Sequence, residues 1–500
     1  MSTASLTVDR TGDLTRLRSL RSVFSFPVML ASLLIVLAML TVRSRFNDPD
    51  MWWHLKTGEV VWTTHSIPTT DLFSYTAGHQ AFVPQEWLSQ ALIYGAYRYA
   101  GYSGLMLWLC FFTSALLIAG YALCSLYSGN AKVGWAGALL IWLFATVGYA
   151  IRPQMIGYLL LVLELLIIYL GRTRNPRWFF WLPLVFAFWV NCHASFFLGM
   201  GIAGLIFICS FFNFQAGLLE SSHWDARAQR FLGLTLALSA VALFLNPFGA
   251  KLVFYPLDFM LHLPINLTAI SEWQPLSMTS IRGIALLGVL AGIFLTVIVQ
   301  QSRIFWHELV LLAAGTWFAV HHERMAFVFG ILAAPIISRL LASSWDSYKA
   351  EQDRAWPNAI MTIAALLVVF WMFPGKTAIT KQVEESNPVK AVEFIRTHHI
   401  SGHMLNDYPF GGYLIWAAPE HPVFIDGRAD LFEFAGVLDQ FGGWATMNGD
   451  PNALLDKYKI DFCLLDINAP MTHILRLLPG WKTAYSDDKA IVFVRTTAAS

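Results

Sequence analysis

Residues 47–58 read Asn47-Asp-Pro-Asp-Met-Trp-Trp-His-Leu-Lys-Thr-Gly58, and they follow almost directly on an apolar run from Phe24 to Val42. Two carboxyls and an imidazole (Asp48, Asp50, His54) thus stand just beyond a stretch long enough to cross a bilayer. Ionisable groups at membrane depth are costly, so they mark function. Working outward, Glu86, Arg152, His193, Glu272, His321, His322, Glu323 and Arg324 also stand at ends of apolar runs. If these ends share one face, the groups line a polar cavity open to one side of a membrane.

The rest of the chain agrees with that setting. It is 56% hydrophobic, 15% aromatic and 13% charged, with a mean hydropathy of +0.54. That is the composition of a polytopic α-helical membrane protein. A net charge of +1 and the absence of a basic tract exclude nucleic acid as a partner. Cys110, Cys124, Cys192, Cys209 and Cys463 are scattered and outline neither a disulfide framework nor a CxxC metal site. Arg10, Arg16, Arg18 and Arg21 precede the first run, which is of span length and leads into Arg43-Ser-Arg45. It reads as a retained span, not a cleaved signal peptide.

Apolar segments near 24–42, 103–127, 133–150, 153–171, 178–192, 194–213, 231–247, 282–300, 304–320, 325–342 and 358–374 give about eleven spans. Lys132, Arg172, Arg174, Arg177, Arg227, Arg230, Arg303, Arg339, Lys349 and Arg354 fall in one alternating set of loops, together with the basic N-terminus. The positive-inside rule makes that set cytoplasmic. Its opposite holds the long loop 43–102, the turns at Arg152, His193 and His321–Arg324, the loop 247–281, and everything after Gly375. Three parts are expected: a cytoplasmic tail 1–23, a transmembrane domain 24–374 with the first external loop 43–102, and a soluble extracytoplasmic α/β domain 384–500. In that last part Pro388–His398 reads as a helix. His403–Leu405, Val423–Ile425, Asp461–Leu465 and Ala490–Val494 read as strands, the last closing a hairpin.

Each candidate site residue carries two readings. Asp48 is a good helix N-cap, Pro49 suits the first helical position and Asp50 complements the helix dipole. The same carboxyls with His54, four residues after Asp50, and Glu86 on a second external helix suit a general base or a site for Mg²⁺ or Mn²⁺. Any metal would fall to Asp48, Asp50 and His54. Arg152 is placed to hold an anion or to snorkel at a span end. His193 beside Asn191 is either a ligand or an interhelical polar pair, and His321-His-Glu-Arg324 either a site or a solvated turn.

An acidic pair directly after the first span, in a large first external loop, resembles the GT-C class of integral-membrane glycosyltransferases, which use polyprenyl-phosphate sugar donors. The fuller text is similar to a bacterial branch of GT-C-like proteins: DPDMWWHLKTGEVV (48–61), IPTTDLFSYTAG (67–78), FVPQEWLSQALIY (82–94), RPQMIGYL (152–159), WVNCHASFFLG (189–199), NPFGAKLVFYP (246–256), SEWQPLS (271–277) and HHERMAFV (321–328). The resemblance implies that Asp48 or Asp50 is the base on an acceptor hydroxyl and that Arg152 or Arg324 holds the donor phosphate. His54, Glu86, His193, Glu272 and His322 are expected around that phosphate site. In the tail, Asn406-Asp-Tyr-Pro-Phe-Gly-Gly-Tyr-Leu-Ile-Trp416 followed by Val423-Phe-Ile-Asp-Gly-Arg428 is laid out like the C-terminal domain of oligosaccharyltransferase catalytic subunits. It lacks their paired tryptophans, and Pro409-Phe410 stands before the glycines. That likeness implies acceptor-side roles for Tyr408, Asp426 and Arg428. Read from the residues alone, Gly411-Gly412 is a tight turn and Asp426-Gly-Arg428 a turn with a local ion pair.

The expectation is therefore a transferase of the bacterial inner membrane. It would move sugar from a polyprenyl-linked donor to an envelope glycan, lipid or protein on the external face. The alternatives are a non-catalytic protein that binds or flips polyprenyl-linked glycans, and a secondary transporter. The transporter is disfavoured because the polar groups gather at one face and no inverted repeat is visible.

Overall fold

The computed structural model describes residues 23–78, 80–262 and 271–496. The basic N-terminal arginines, with the expected tail 1–23 apart from Val23, and part of the loop 247–281 lie outside the described residues.

The apolar runs fold as helices, numbered here in chain order. The first eight are α1 Phe26–Val42, α2 Met51–Thr64, α3 Trp87–Ser128, α4 Ala131–Ala145, α5 Gln154–Thr173, α6 Trp181–Trp189, α7 Phe196–Cys209 and α8 Ala226–Ala242. They are followed by α9 Ala250–His262, α10 Ile281–Val299, α11 Trp306–His321, α12 Ala326–Leu340 and α13 Ala355–Met372. Among the described residues five helices are long and apolar enough to cross a membrane, and α1 and α7 are shorter apolar helices. The even division into about eleven spans is thus not reproduced by length. The apolar text of 178–192 is split between a 3-10 turn, Pro176–Phe180, and the nine residues of α6.

The helix α3 merges two expected segments. Ala100 and Gly101 leave helical geometry, with Gly101 at φ 57°, ψ −144°, a conformation open to a residue without Cβ. The part before this kink packs on α2, and the part after it runs on as the expected span. Glu86 stands at the start of the first part, where it faces the loop residues.

Beyond α13 come α14 Lys376–Ser386 and α15 Val389–Thr397, then strand β1 His403–Asn406 and α16 Gly411–Ala417. The chain continues through α17 Ala429–Phe434, α18 Val437–Ala445, α19 Pro451–Lys457, β2 Ile460–Asp466, α20 Pro470–Leu477, β3 Trp481–Ser486 and β4 Ala490–Arg495. The sheet runs β1-β2-β4-β3, with β1 parallel to β2 and the other pairs antiparallel. The expected strand at 423–425 does not form. Its β-branched and aromatic text is buried, yet its backbone bonds go elsewhere: Val423 to Phe73 and Tyr75 of the first loop, Phe424 and Ile425 to the Asn406 side chain. One apolar core runs from Met39 through Trp52 to Tyr413, Phe462 and Val492. Helices, first loop and tail are therefore packed as one body at this end of the bundle.

Candidate functional site

The turn that opens α2 sets the site. Asp48 Oδ1 accepts the Asp50 N–H at 2.9 Å and closes a turn just ahead of the helix, which begins at Met51 with Asp50 as its N-cap, so Asp48 and Pro49 precede the cap and first helical position expected of them. Asp50, directly before the helix, makes no side-chain cap. That turn is only half of what Asp48 does. Arg152, in the turn before α5, donates Nε at 2.5 Å and Nη2 at 2.8 Å to the two Asp48 oxygens. A bidentate fork of this kind is the strongest pairing open to a carboxylate. The same guanidinium reaches Asp50 Oδ2 at 3.1 Å and Glu272 Oε1 at 3.3 Å. Glu272 in turn bridges to Arg324, whose Nη1 lies 3.1 Å from Oε2 and whose Nη2 donates to Gln154 at 3.1 Å. Arg324 also lies 5.4 Å over the Trp273 ring.

Beside this network sits a second one. Glu86 places Oε2 3.7 Å from His54 Nδ1 and Oε1 3.5 Å from His193 Nε2. His193 Nδ1 takes the Ser195 N–H at 3.1 Å, so in the neutral ring Nε2 carries the proton toward Glu86. Burial drives Glu86 up to about 8, against the pull of Arg324. Burial, with Arg324 adding to it, lowers His193 to about 3, and burial with Arg152 pushes His54 well down. Burial thus pushes all three groups of this cluster toward their neutral forms. Asp50 differs from it: burial lifts its carboxyl to about 6, Arg152 opposes the shift and Asp48 adds to it.

The tail completes the floor. Gly412 backs onto the Pro49 carbonyl, and Gly427 onto the Asp50 carboxyl. Gly411 and Gly412 lie in helical geometry at the start of α16. They are close-approach positions there, not the expected tight turn. The Asp426–Arg428 ion pair forms at 2.6 Å, and Arg428 also reaches Asp71 of the first loop at 2.5 Å. All three side chains are at most 1% exposed, so Asp426 and Arg428 face each other and Asp71 where acceptor contact was expected. Tyr408 is half-buried, its phenol pushed up by burial and by Asp50, Asp426 and Asp430.

No family model matches the sequence, and no curated protein matches it. Solved structures do. The oligosaccharyltransferase of Archaeoglobus fulgidus, in complex with Zn and sulfate, superposes with a TM-score of 0.54 at 12% identity, over 93% of this chain and 73% of that one. The same enzyme tethered to an acceptor peptide gives 0.53 at 12%, over 95% and 75%. ArnT from Cupriavidus metallidurans bound to undecaprenyl phosphate gives 0.50 at 11%, over 97% and 98%. The fold is GT-C-like.

Within this GT-C-like frame the predicted residues fall into two groups. Asp48, Asp50, Arg152, Glu272 and Arg324 form one network, and His54, Glu86 and His193 form the other. His322 supports the first from behind, its Nδ1–H donating to the Trp273 carbonyl at 2.8 Å. His321 is exposed and bonded to Trp317 O. The expected metal set of Asp48, Asp50 and His54 is not assembled. His54 turns to Glu86 and Gln90, and the guanidinium of Arg152 stands between the two aspartates. Among the described residues no three His, Cys, Asp or Glu side chains gather to hold a metal ion. The residues present do not fit that group. Sequence reading missed Gln154, Asp71 and Arg282, which pairs with Glu323. Gln154 lies two residues from Arg152 and Asp71 sits in the quoted loop text, so both were within reach of a closer look at polar residues in those segments.

Proposed function

We propose that the chain is an inverting glycosyltransferase that moves a sugar from a polyprenyl-phosphate-type lipid to an acceptor hydroxyl on the external face of the membrane. The observation that carries this reading is one acid, Asp50, seated beside Arg152, which Glu272 links to a second arginine, Arg324, at one end of a GT-C-like fold. The undecaprenyl phosphate bound to ArnT supports the choice of lipid. In the step, Asp50 takes the acceptor O–H proton while the acceptor oxygen attacks the anomeric carbon. The bond from that carbon to the phosphate oxygen breaks, and its electron pair leaves with the polyprenyl phosphate. Arg152 and Arg324 neutralise the charge growing on the leaving oxygen, a task suited to fixed cations in a partly dry site. Asp48 orients Arg152. The His54–Glu86–His193 cluster, pushed toward neutrality by burial, stands beside these cations without competing for them.

Mass spectrometry of lipids copurifying with the full chain, set beside the envelope glycans of a deletion strain, tests the proposal. A bound sugar-lipid together with a lost glycan is expected. A bound sugar-lipid with an unchanged glycan profile would leave the carrier reading in its place.

A further inference from the structure

The two arginines that the transfer reading assigns to a phosphate are already bridged, and the bridging group is part of the chain. Glu272 places one carboxylate oxygen 3.3 Å from Arg152 Nη1 and the other 3.1 Å from Arg324 Nη1. A phosphate oxygen pair would span two guanidiniums in the same way. The contacts around Glu272 are unequal. Asp48 grips Arg152 through two bonds of 2.5 and 2.8 Å and is 6% exposed, whereas Glu272 makes one longer contact to each arginine and is 33% exposed. Of the three carboxylates around Arg152, Glu272 is the most open to solvent, at 33% exposed against 21% for Asp50 and 6% for Asp48, and its contact to that guanidinium is the longest.

Its surroundings allow it to leave without dismantling the site. The 3-10 turn Ser271–Trp273 that carries Glu272 is fastened independently: His322 donates to Trp273 O at 2.8 Å and the Glu323 N–H to Gln274 O at 2.8 Å. Arg324 keeps its bond to Gln154 and its stacking on Trp273 when the carboxylate swings away. Arg152 keeps its fork on Asp48. Both cations thus stay placed while the anion between them is exchanged.

We infer that Glu272 is an internal stand-in for the donor phosphate, a displaceable carboxylate that closes the Arg152–Arg324 pair until a phosphate group takes its place. The inference rests on the glycosyl-transfer reading for the identity of the lipid, and on geometry alone for the anion site. A carboxylate carries one negative charge, as does the phosphodiester of a monophosphate-linked sugar. The exchange then leaves the charge of the pair unchanged, which favours a monophosphate donor over a diphosphate. After transfer, the returning carboxylate competes with the released polyprenyl phosphate and so assists its departure.

The full-length protein in nanodiscs is titrated with two probes, inorganic phosphate and a polyprenyl monophosphate, in wild type, Glu272→Gln and Arg324→Gln. Glutamine keeps the size and one hydrogen bond of the plug but removes its charge. If the plugged state holds about nine-tenths of the molecules, Glu272→Gln tightens both probes roughly tenfold, because the competent fraction rises to unity. Arg324→Gln weakens both. Unchanged or weaker binding of both probes to Glu272→Gln overturns the stand-in, while wild-type binding of the polyprenyl monophosphate would still leave the donor reading intact. Tighter inorganic phosphate with no binding of the lipid in any variant keeps the anion site and removes the lipid donor.

Discussion

Gly427 lies against the carboxyl of Asp50 so closely that a Cβ built on it would come within 1.8 Å of Oδ1. The residue proposed as the base is thus walled by backbone from a segment far along the chain. Trp53 Nε1 lies 3.2 Å from the same Cβ position. A glycine is the residue that leaves Asp50 room there.

Gly427→Ala should therefore unseat the tail from the first loop. Overpacking of this kind costs about 1–3 kcal/mol. Thermal unfolding of the full chain in detergent should show a lowered Tm, and Asp50→Ala, by removing the opposed oxygens, should restore part of it. Strictly additive penalties in the double variant would mean that the two residues do not touch.

The charged residues of the site were legible because each is an expensive exception in apolar text; Asp48, Asp50, Arg152, Glu272 and Arg324 could be listed without coordinates. Their pairing was not. Asp48 and Arg152 are 104 positions apart, and Arg428 meets Asp71 across 357, separations at which local pattern carries no register. The segment 423–425 fails as a strand for a related reason. Its residue types suit a sheet, but its hydrogen bonds are taken by the first loop and by Asn406. Propensity records what a residue tolerates, and tertiary partners decide what it does.

Arg428 is the second anchor of the tail. Its guanidinium is held by Asp426 and Asp71, with Phe73 and Phe82 rings at 5.1 and 5.2 Å. Burial pulls its pKa down and the two aspartates pull it up, with the upward effect winning, so the group stays charged. Arg428→Met leaves two buried carboxyls unpaired, a loss of about 3–5 kcal/mol. Limited proteolysis should then release the tail from the membrane part. Adding Asp71→Asn and Asp426→Asn to Arg428→Met should recover much of the loss, and no recovery would refute the paired-charge account.

The orientation drawn from the loop arginines has a direct check. Gln382 of α14 donates to the Arg43 carbonyl and accepts the Phe46 N–H, so the tail begins at the same end of α1 as the first loop. Alkaline phosphatase fused after Lys376 should be active, and fused after Arg174 inactive. The opposite pattern would put the acidic pair in the cytoplasm and withdraw the external-face reading.

Asp48 and Asp50 should separate by function and by pH. Asparagine at position 48 keeps the turn bond from the Asp50 N–H but breaks the charged fork on Arg152. Because Arg152 keeps Asp50 and Glu272 as partners, Asp48→Asn is expected to lower stability only modestly and chiefly to weaken donor binding through a misplaced Arg152. Asp50→Asn loses one contact to that guanidinium and its proton-accepting oxygen, so folding and lipid binding should survive while transfer falls by roughly 10²–10⁴-fold. The pH profile gives the sign. With Asp50 raised to about 6, the base form fills as pH rises through 6, so the wild-type rate should climb tenfold per unit below 6 and level off above it. For stability the sense is reversed. A folded-state value above the ordinary aspartate value of 3.8 favours the protonated carboxyl, so its contribution is present below 3.8 and is lost as pH rises through about 6. Asp50→Asn should be flat across that window in stability and should lack the climb in rate. An Asp50→Asn variant that transfers sugar at the wild-type rate, with the climb near pH 6 intact, would remove Asp50 as the base and leave it a neighbour of Arg152.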